Sequence, residues 1–207
     1  MPQLKIGVLI SGSGTNLQSI IDNVEKGEIN GKITVVISNK SDAYGLERAR
    51  QHNIDAVFVN HKEYENFEMY NDAVIEELEK HGVELIVLAG YLKILSGNFI
   101  EKYRNKIINI HPSLIPSFCG KGYYGLKVHE AAVNYGVKLS GATVHFVDEQ
   151  ADTGPIIMQE SVEVDYDDSA ETLQKKILKI EHKILPLSVK YYCDGKIEVV
   201  GRKVKIN

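Results

Sequence analysis

Tryptophan is absent from the 207 residues, and cysteine, methionine and proline are scarce, at two, three and five. A secreted scaffold stapled by disulfides uses more cysteine than Cys119 and Cys193 supply, so these two read as free thiols in a reducing compartment. Basic residues are not in excess: 24 Lys and Arg stand against 28 Asp and Glu, for a net charge of -4. That balance argues against nonspecific nucleic-acid binding, which needs a basic surface, while leaving room for a local positive pocket. Long apolar runs are missing too. The longest, Leu85 to Leu92, is interrupted by Gly90 and falls far short of the roughly 20 residues that span a bilayer. Met1-Pro2-Gln3-Leu4-Lys5 leads directly into a strand-like run, so no signal peptide is expected and the cytoplasm is the expected location. Neither an HExxH pattern nor clustered Cys/His ligand spacing occurs, so no metal is expected. A G-x-S-x-G nucleophile elbow is also lacking,.

What is present is a core. Hydrophobic residues make up 43% of the chain, enough for one domain over residues 1–207. Short apolar runs at Ile6–Ile10, Ile33–Ile37, Ala56–Val59, Leu85–Ala89 and Ile107–Ile110 have the near-continuous hydrophobicity of parallel strands buried on both faces. Helix-like segments separate them. One carries Phe67, Tyr70, Val74 and Leu78 at steps of three and four and should stop near His81-Gly82, where glycine can take a left-handed cap. The alternation predicts a doubly wound, mostly parallel α/β sheet. Residues 112–125, rich in Pro, Ser, Gly and Tyr, read as a long functional loop. A helix near Leu126–Tyr135 and strands at Lys138–Val147 and Ile156–Val164 follow. Leu173, Ile177, Ile180, Ile184, Leu187 and Tyr191 predict one apolar stripe on a last helix, with Ser169 at its start. Asp194-Gly195 then leads into a terminal hairpin, Lys196–Val200 with Lys203–Ile206.

Two places carry chemistry. Ser11-Gly12-Ser13-Gly14-Thr15-Asn16 joins the first strand to the first helix, where backbone N–H groups favour an anion such as a phosphate monoester. Leu17 stands where the dinucleotide fingerprint asks for glycine, and no Gly-Lys-Ser/Thr follows, so a tight turn with Thr15 or Asn16 capping the helix explains the loop equally well. At the end of the fifth strand, Asn109 and His111 lie two apart and project to one side, with Pro112 keeping His111 extended. An amide donor and an imidazole there suit an oxyanion. Thr143 and His145 likewise share a strand face, and the acidic loop beyond them ends in Asp152 and turns at Gly154-Pro155. A carboxylate beside an imidazole favours its cationic form. His52, His61, His81, His129 and His182 belong to no pattern and read as structural or exposed.

Together these segments resemble the folate-dependent formyltransferases. Asn109-Ile110-His111-Pro112-Ser113-Leu114-Ile115-Pro116 is similar to that family's core motif, and Gly141 to Gly154 to its active-site signature, with Asp152 the terminal aspartate. The segments at Leu9–Asn16, Ser38-Asn39-Lys40 and Leu88–Ser96 resemble the branch acting on glycinamide ribonucleotide. The resemblance covers nearly the whole chain and implies a Rossmann-like fold. It also implies formyl transfer from 10-formyltetrahydrofolate to glycinamide ribonucleotide, with small molecules rather than nucleic acid or membrane as partners and a homodimer left open. It makes Asn109, His111 and Asp152 catalytic. Gly14, Thr15, Asn16 and Glu181 would bind the ribonucleotide, and Leu92, Lys93, Ile94, Leu95, Asn109, Asp148 and Asp152 the folate. Phe67 stands where a basic residue is usual on the folate side. Leu178 stands where a polar substrate contact is usual, and Lys179 is the expected substitute. A hydrolase of the same family, with water in place of the amine, usually carries an added N-terminal domain. A tRNA-acting member usually carries a basic C-terminal one. A nonenzymatic nucleotide-binding module would need the glycine loop but not Asn109, His111 and Asp152.

Overall fold

The structure, a computed structural model, describes residues 2–207. The five apolar runs become β1 (Leu4–Ile10), β2 (Gly31–Ser38), β3 (Asp55–Phe58), β4 (Leu85–Leu88) and β5 (Ile107–His111), all mutually parallel where they pair. Between them run α1 (Thr15–Glu25), α2 (Tyr44–Gln51), a short 3-10 helix at His61–Glu63, α3 (Phe67–Lys80) and α4 (Gly97–Lys102). Then come α5 (Leu126–Tyr135), β6 (Leu139–Phe146), β7 (Ile156–Glu163), α6 (Ala170–Cys193), β8 (Ile197–Val200) and β9 (Lys203–Ile206). One nine-stranded sheet has the order β3-β2-β1-β4-β5-β6-β7-β9-β8.

Side-chain alternation along β1 shows why helices cover both faces. Ile6, Val8 and Ile10 point into one core with Leu17 and Ile20 of α1 and Leu173 and Ile177 of α6. Leu9 points the other way, into a second core with Val74 and Leu78 of α3 and Phe99 of α4. A Cβ on Gly7 would lie 2.7 Å from Leu78, so α3 packs as close as it does because that position has no side chain. The expected stop of α3 is realised: His81 closes the helix and Gly82 takes φ +63°. Ser169 likewise accepts from the Thr172 N–H at the start of α6.

Two features add to the sequence reading and one departs from it. β6 runs antiparallel to β5, and β7 antiparallel to β6. The terminal hairpin extends the sheet, because β9 joins its edge beside β7 at Ile156↔Lys203. The apolar stripe of α6 holds at Leu173, Ile177, Ile180 and Ile184 but then turns, so that Leu185, Ser188 and Val189 are buried while Leu187 and Tyr191 are only half-buried. Alternating steps of four and three average 3.5 residues, whereas a straight helix turns every 3.6, so the stripe drifts round the axis. Pro186 inside the helix also removes the N–H that would bond the His182 carbonyl,.

The order of strands sets the site. From β1 the chain winds outward through β2 and β3, then returns to β4 on the other side of β1, so the loops leaving β1 and β4 diverge and open a crevice at the strands' carboxyl ends. Ile177 ties α6 to this frame and is fully buried. Ile177→Ala is expected to lower the unfolding free energy by about 2–5 kcal/mol, read from urea denaturation monitored by circular dichroism.

Candidate active site

The crevice is anchored on Ser11. Its N–H donates to the Gly90 carbonyl at 3.0 Å, its hydroxyl donates to Asn39 Oδ1 at 2.5 Å, and the hydroxyl oxygen accepts from the Leu92 N–H at 2.8 Å. The turns after β1, β2 and β4 are thereby joined. Gly14 then enters α1 in the left-handed region, φ +71°, and no side chain caps the helix. The capping reading for Thr15 or Asn16 is therefore not realised, and the first-turn N–H groups stay available to an anion. A Cβ on Gly14 would meet Gly45 Cα at 2.7 Å, so α2 backs directly onto the turn. Arg48 adds a positive charge there, donating from Nε to the Ser13 carbonyl at 2.9 Å.

Asn16 instead reaches across to α6. Its Nδ2 donates to Glu181 Oε2 at 2.6 Å, while its Oδ1 is buried without a partner, an acceptor left for a ligand. Burial pushes the Glu181 carboxyl up to about 7, although the Asn16 amide pulls the other way. A carboxyl in that state can donate as well as accept.

The second half of the site is written in strand register. Asn109 pairs with His145 and His111 with Thr143 across β5 and β6. His145 Nδ1 faces the Phe146 carbonyl at 2.7 Å. Since a carbonyl only accepts, Nδ1 carries the hydrogen, and Nε2 is left to accept from Asn109 Nδ2 at 3.1 Å. Burial lowers the pKa of His145, which favours this neutral tautomer. His111 Nε2 lies 2.9 Å from the Phe118 carbonyl and its Nδ1 lies 3.5 Å from Asp152 Oδ2, so both ring nitrogens face acceptors. Asp152 Oδ1 is 3.7 Å from His145 Nε2. The aspartate thus sits between the two imidazoles, and Asn109, His111 and Asp152 are brought together as the sequence pattern requires.

A cleft of about 460 Å³ joins the two halves. Gly14, Thr15, Asn16, Leu92, Asn109, His111, Asp152 and Glu181 all line it. Lys93, Ile94, Leu95 and Asp148 are not among its lining residues. Leu95 is buried in the second core, Ile94 is exposed beside the cleft, and Asp148 accepts from Thr153 Oγ1 at 2.5 Å within its own loop. Beside Leu178, Gln174 one turn earlier supplies the polar group that faces the cleft, and Lys179 does not. His129 of α5 also lines the cleft instead of being merely structural. Its Nδ1 is buried and unpartnered, and burial first, then His111, pulls its pKa down to about 4. Its place beside the 112–125 loop was the available signal.

Known proteins share this sequence and fold. A family profile described as formyl transferase matches residues 4–189. The phosphoribosylglycinamide formyltransferase of Haemophilus influenzae is 45% identical over 94% of this chain and 90% of its own length. That of Escherichia coli is 39% identical over 95% of this chain and 90% of its own. The crystal structure of glycinamide ribonucleotide transformylase 1 from Symbiobacterium toebii superposes with a TM-score of 0.94 at 44% identity, covering 99% of this chain and 94% of that one.

The raised Glu181 carboxyl links stability to pH. Its native pKa of about 7 lies above the usual 4.5, so the neutral form's contribution is complete below about pH 4.5 and is lost as pH rises through 7. The loss amounts to about 3 kcal/mol at most. Glu181→Gln keeps an acceptor for Asn16 but does not titrate. Urea denaturation at pH 5 and pH 8 should show wild type losing stability across this window and the variant losing less, by up to that amount. Parallel changes in both proteins would remove Glu181 as the cause.

Proposed function

The chain belongs to the formyl transferase family, and from that premise we propose that it transfers a formyl group from 10-formyltetrahydrofolate to the amine of glycinamide ribonucleotide. The observation that carries this reading is the continuity of one cleft. An uncapped helix N-terminus lies at one end, and Asn109, His111 and Asp152 lie at the other. The ribonucleotide phosphate belongs on the Gly14–Asn16 backbone, with Glu181 and Asn16 meeting the sugar hydroxyls and Gln174 offering a further polar contact. Leu92 and Ile94 are apolar yet exposed, a surface that the flat rings of a folate can cover. Residues 1–207 act as one catalytic domain on small molecules, and its place is cytoplasmic purine synthesis.

The amine attacks the formyl carbon, a C–N bond forms, and the carbonyl oxygen becomes an oxyanion. Asn109 Nδ2 has two hydrogens. One is committed to His145, so the amide is oriented before substrate arrives and the other is free for the developing charge. His111, whose Nδ1 faces Asp152, becomes the second donor as the oxyanion replaces the Phe118 carbonyl opposite Nε2. Asp152 stabilises the imidazolium and takes the proton that the attacking amine sheds, directly or through water. The proton passes to the departing folate nitrogen as its bond to carbon breaks. Holding amine and formyl donor side by side supplies much of the remaining acceleration.

The first assay follows tetrahydrofolate release from 10-formyltetrahydrofolate with and without glycinamide ribonucleotide. Release that requires the ribonucleotide is the expected result. Release without it would make the chain a hydrolase, and none with folded protein would sink the enzymatic reading. His111→Ala and Asp152→Asn should each cost about 10²–10³ in kcat, the usual loss for one charge-stabilising group, with the ribonucleotide still bound in a calorimetric titration.

A further inference from the structure

We infer that Arg202, in the turn of the terminal hairpin, is a positioning residue that holds the Asp152 loop against the reacting centre. The inference rests on the catalytic reading of Asp152 and deepens it. Asp152 has φ +59°, a left-handed conformation uncommon for residues with a Cβ and best tolerated among them by asparagine and aspartate. The loop carrying it is tied to the sheet at both ends, through Val147 N–H to the Ile107 carbonyl at 3.0 Å and Phe146 N–H to the Pro155 carbonyl at 2.9 Å. Between those ends the Asp148–Thr153 bond is internal and fixes the loop's shape but not its place.

Place comes from outside. The Gly120 N–H donates to Asp152 Oδ2 at 2.8 Å and so holds the carboxylate, not the backbone that follows it. Arg104 meets Glu149 at 2.6 Å at the loop's far end, an exposed pair that salt screens. Arg202 Nη2 donates to the Thr153 carbonyl at 2.8 Å, on the residue that follows Asp152. The register of the sheet aims it there, since Lys203, its neighbour, pairs with Ile156 at the start of β7. A cavity of about 300 Å³ lies between Arg104 and Arg202 behind this loop, so the loop has space to withdraw once the tether is cut.

Arg202→Ala and Arg202→Lys test this in the full chain. The alanine variant should lose about tenfold in kcat, equal to about 1.4 kcal/mol, with KM for glycinamide ribonucleotide unchanged because that ligand's contacts lie across the cleft. Lysine, which can still reach the carbonyl, should restore most of the rate. Amide hydrogen exchange over residues 148–154 should speed up in the alanine variant and not in the lysine one. A folded alanine variant with wild-type kcat, or with unaltered exchange in that segment, overturns the inference. A wild-type enzyme showing no ribonucleotide-dependent release would overturn the proposed function instead, and the exchange measurement would still decide the tether.

Discussion

The antiparallel pairing of β5 with β6 is the constraint from which the geometry of the candidate site follows. β5 is parallel to β4 on one side and antiparallel to β6 on the other. That junction sets Asn109 opposite His145 and His111 opposite Thr143. Thr143 then disciplines the loop that follows β5: its hydroxyl donates to the Ser113 carbonyl at 2.7 Å, and its oxygen accepts from the Ile115 N–H at 3.1 Å and from Gln159 Nε2 at 2.9 Å. So fastened, the loop returns the Phe118 carbonyl to His111 Nε2. Orientation of the Asn109 amide and the His111 imidazole is therefore inherited from sheet hydrogen bonding, the part of a protein least free to shift.

Electrostatics sorts the cleft into neutral and charged members. Glu181, His129 and His145 are all driven toward their uncharged forms by burial. Uncharged groups shape a site without opposing the charge that a substrate brings. The helix N-terminus and Arg48 stand at one end and Asp152 at the other, a polarity that suits a phosphate on the first and a cationic imidazole on the second.

Much of this was legible in the sequence. Continuous apolar runs locate the parallel strands, and the two-residue period of an extended chain puts Asn109 and His111 on one side. The place of Asp152 came through resemblance, because nothing in a short acidic loop says which carboxylate turns inward. The partner of Asn109 was not legible: His145 shared a face with Thr143, but its tautomer depends on the Phe146 carbonyl and its role on a register across 36 positions of chain. His129 and Gln174 reach the cleft through the packing of α5 and α6, which helical period alone does not orient. The turn of the α6 stripe escaped because a 3.5-residue spacing looks straight until it is wound at 3.6.

The signature from Gly141 to Gly154 gains a physical meaning from the same geometry. A Cβ on Gly141 would lie 2.1 Å from the Glu160 carbonyl oxygen, and one on Gly154 only 1.8 Å from that of Phe146. Neither glycine can meet a ligand's chemistry through a side chain. They let β6 and β7 close on each other and let the chain leave β6, carry Asp152 out, and return against the same strand. The Phe146 carbonyl that excludes a side chain at Gly154 also accepts from His145. One peptide group therefore sets both the tautomer that orients Asn109 and the path of the loop that delivers Asp152, so the two halves of the candidate site are fixed by a shared backbone position.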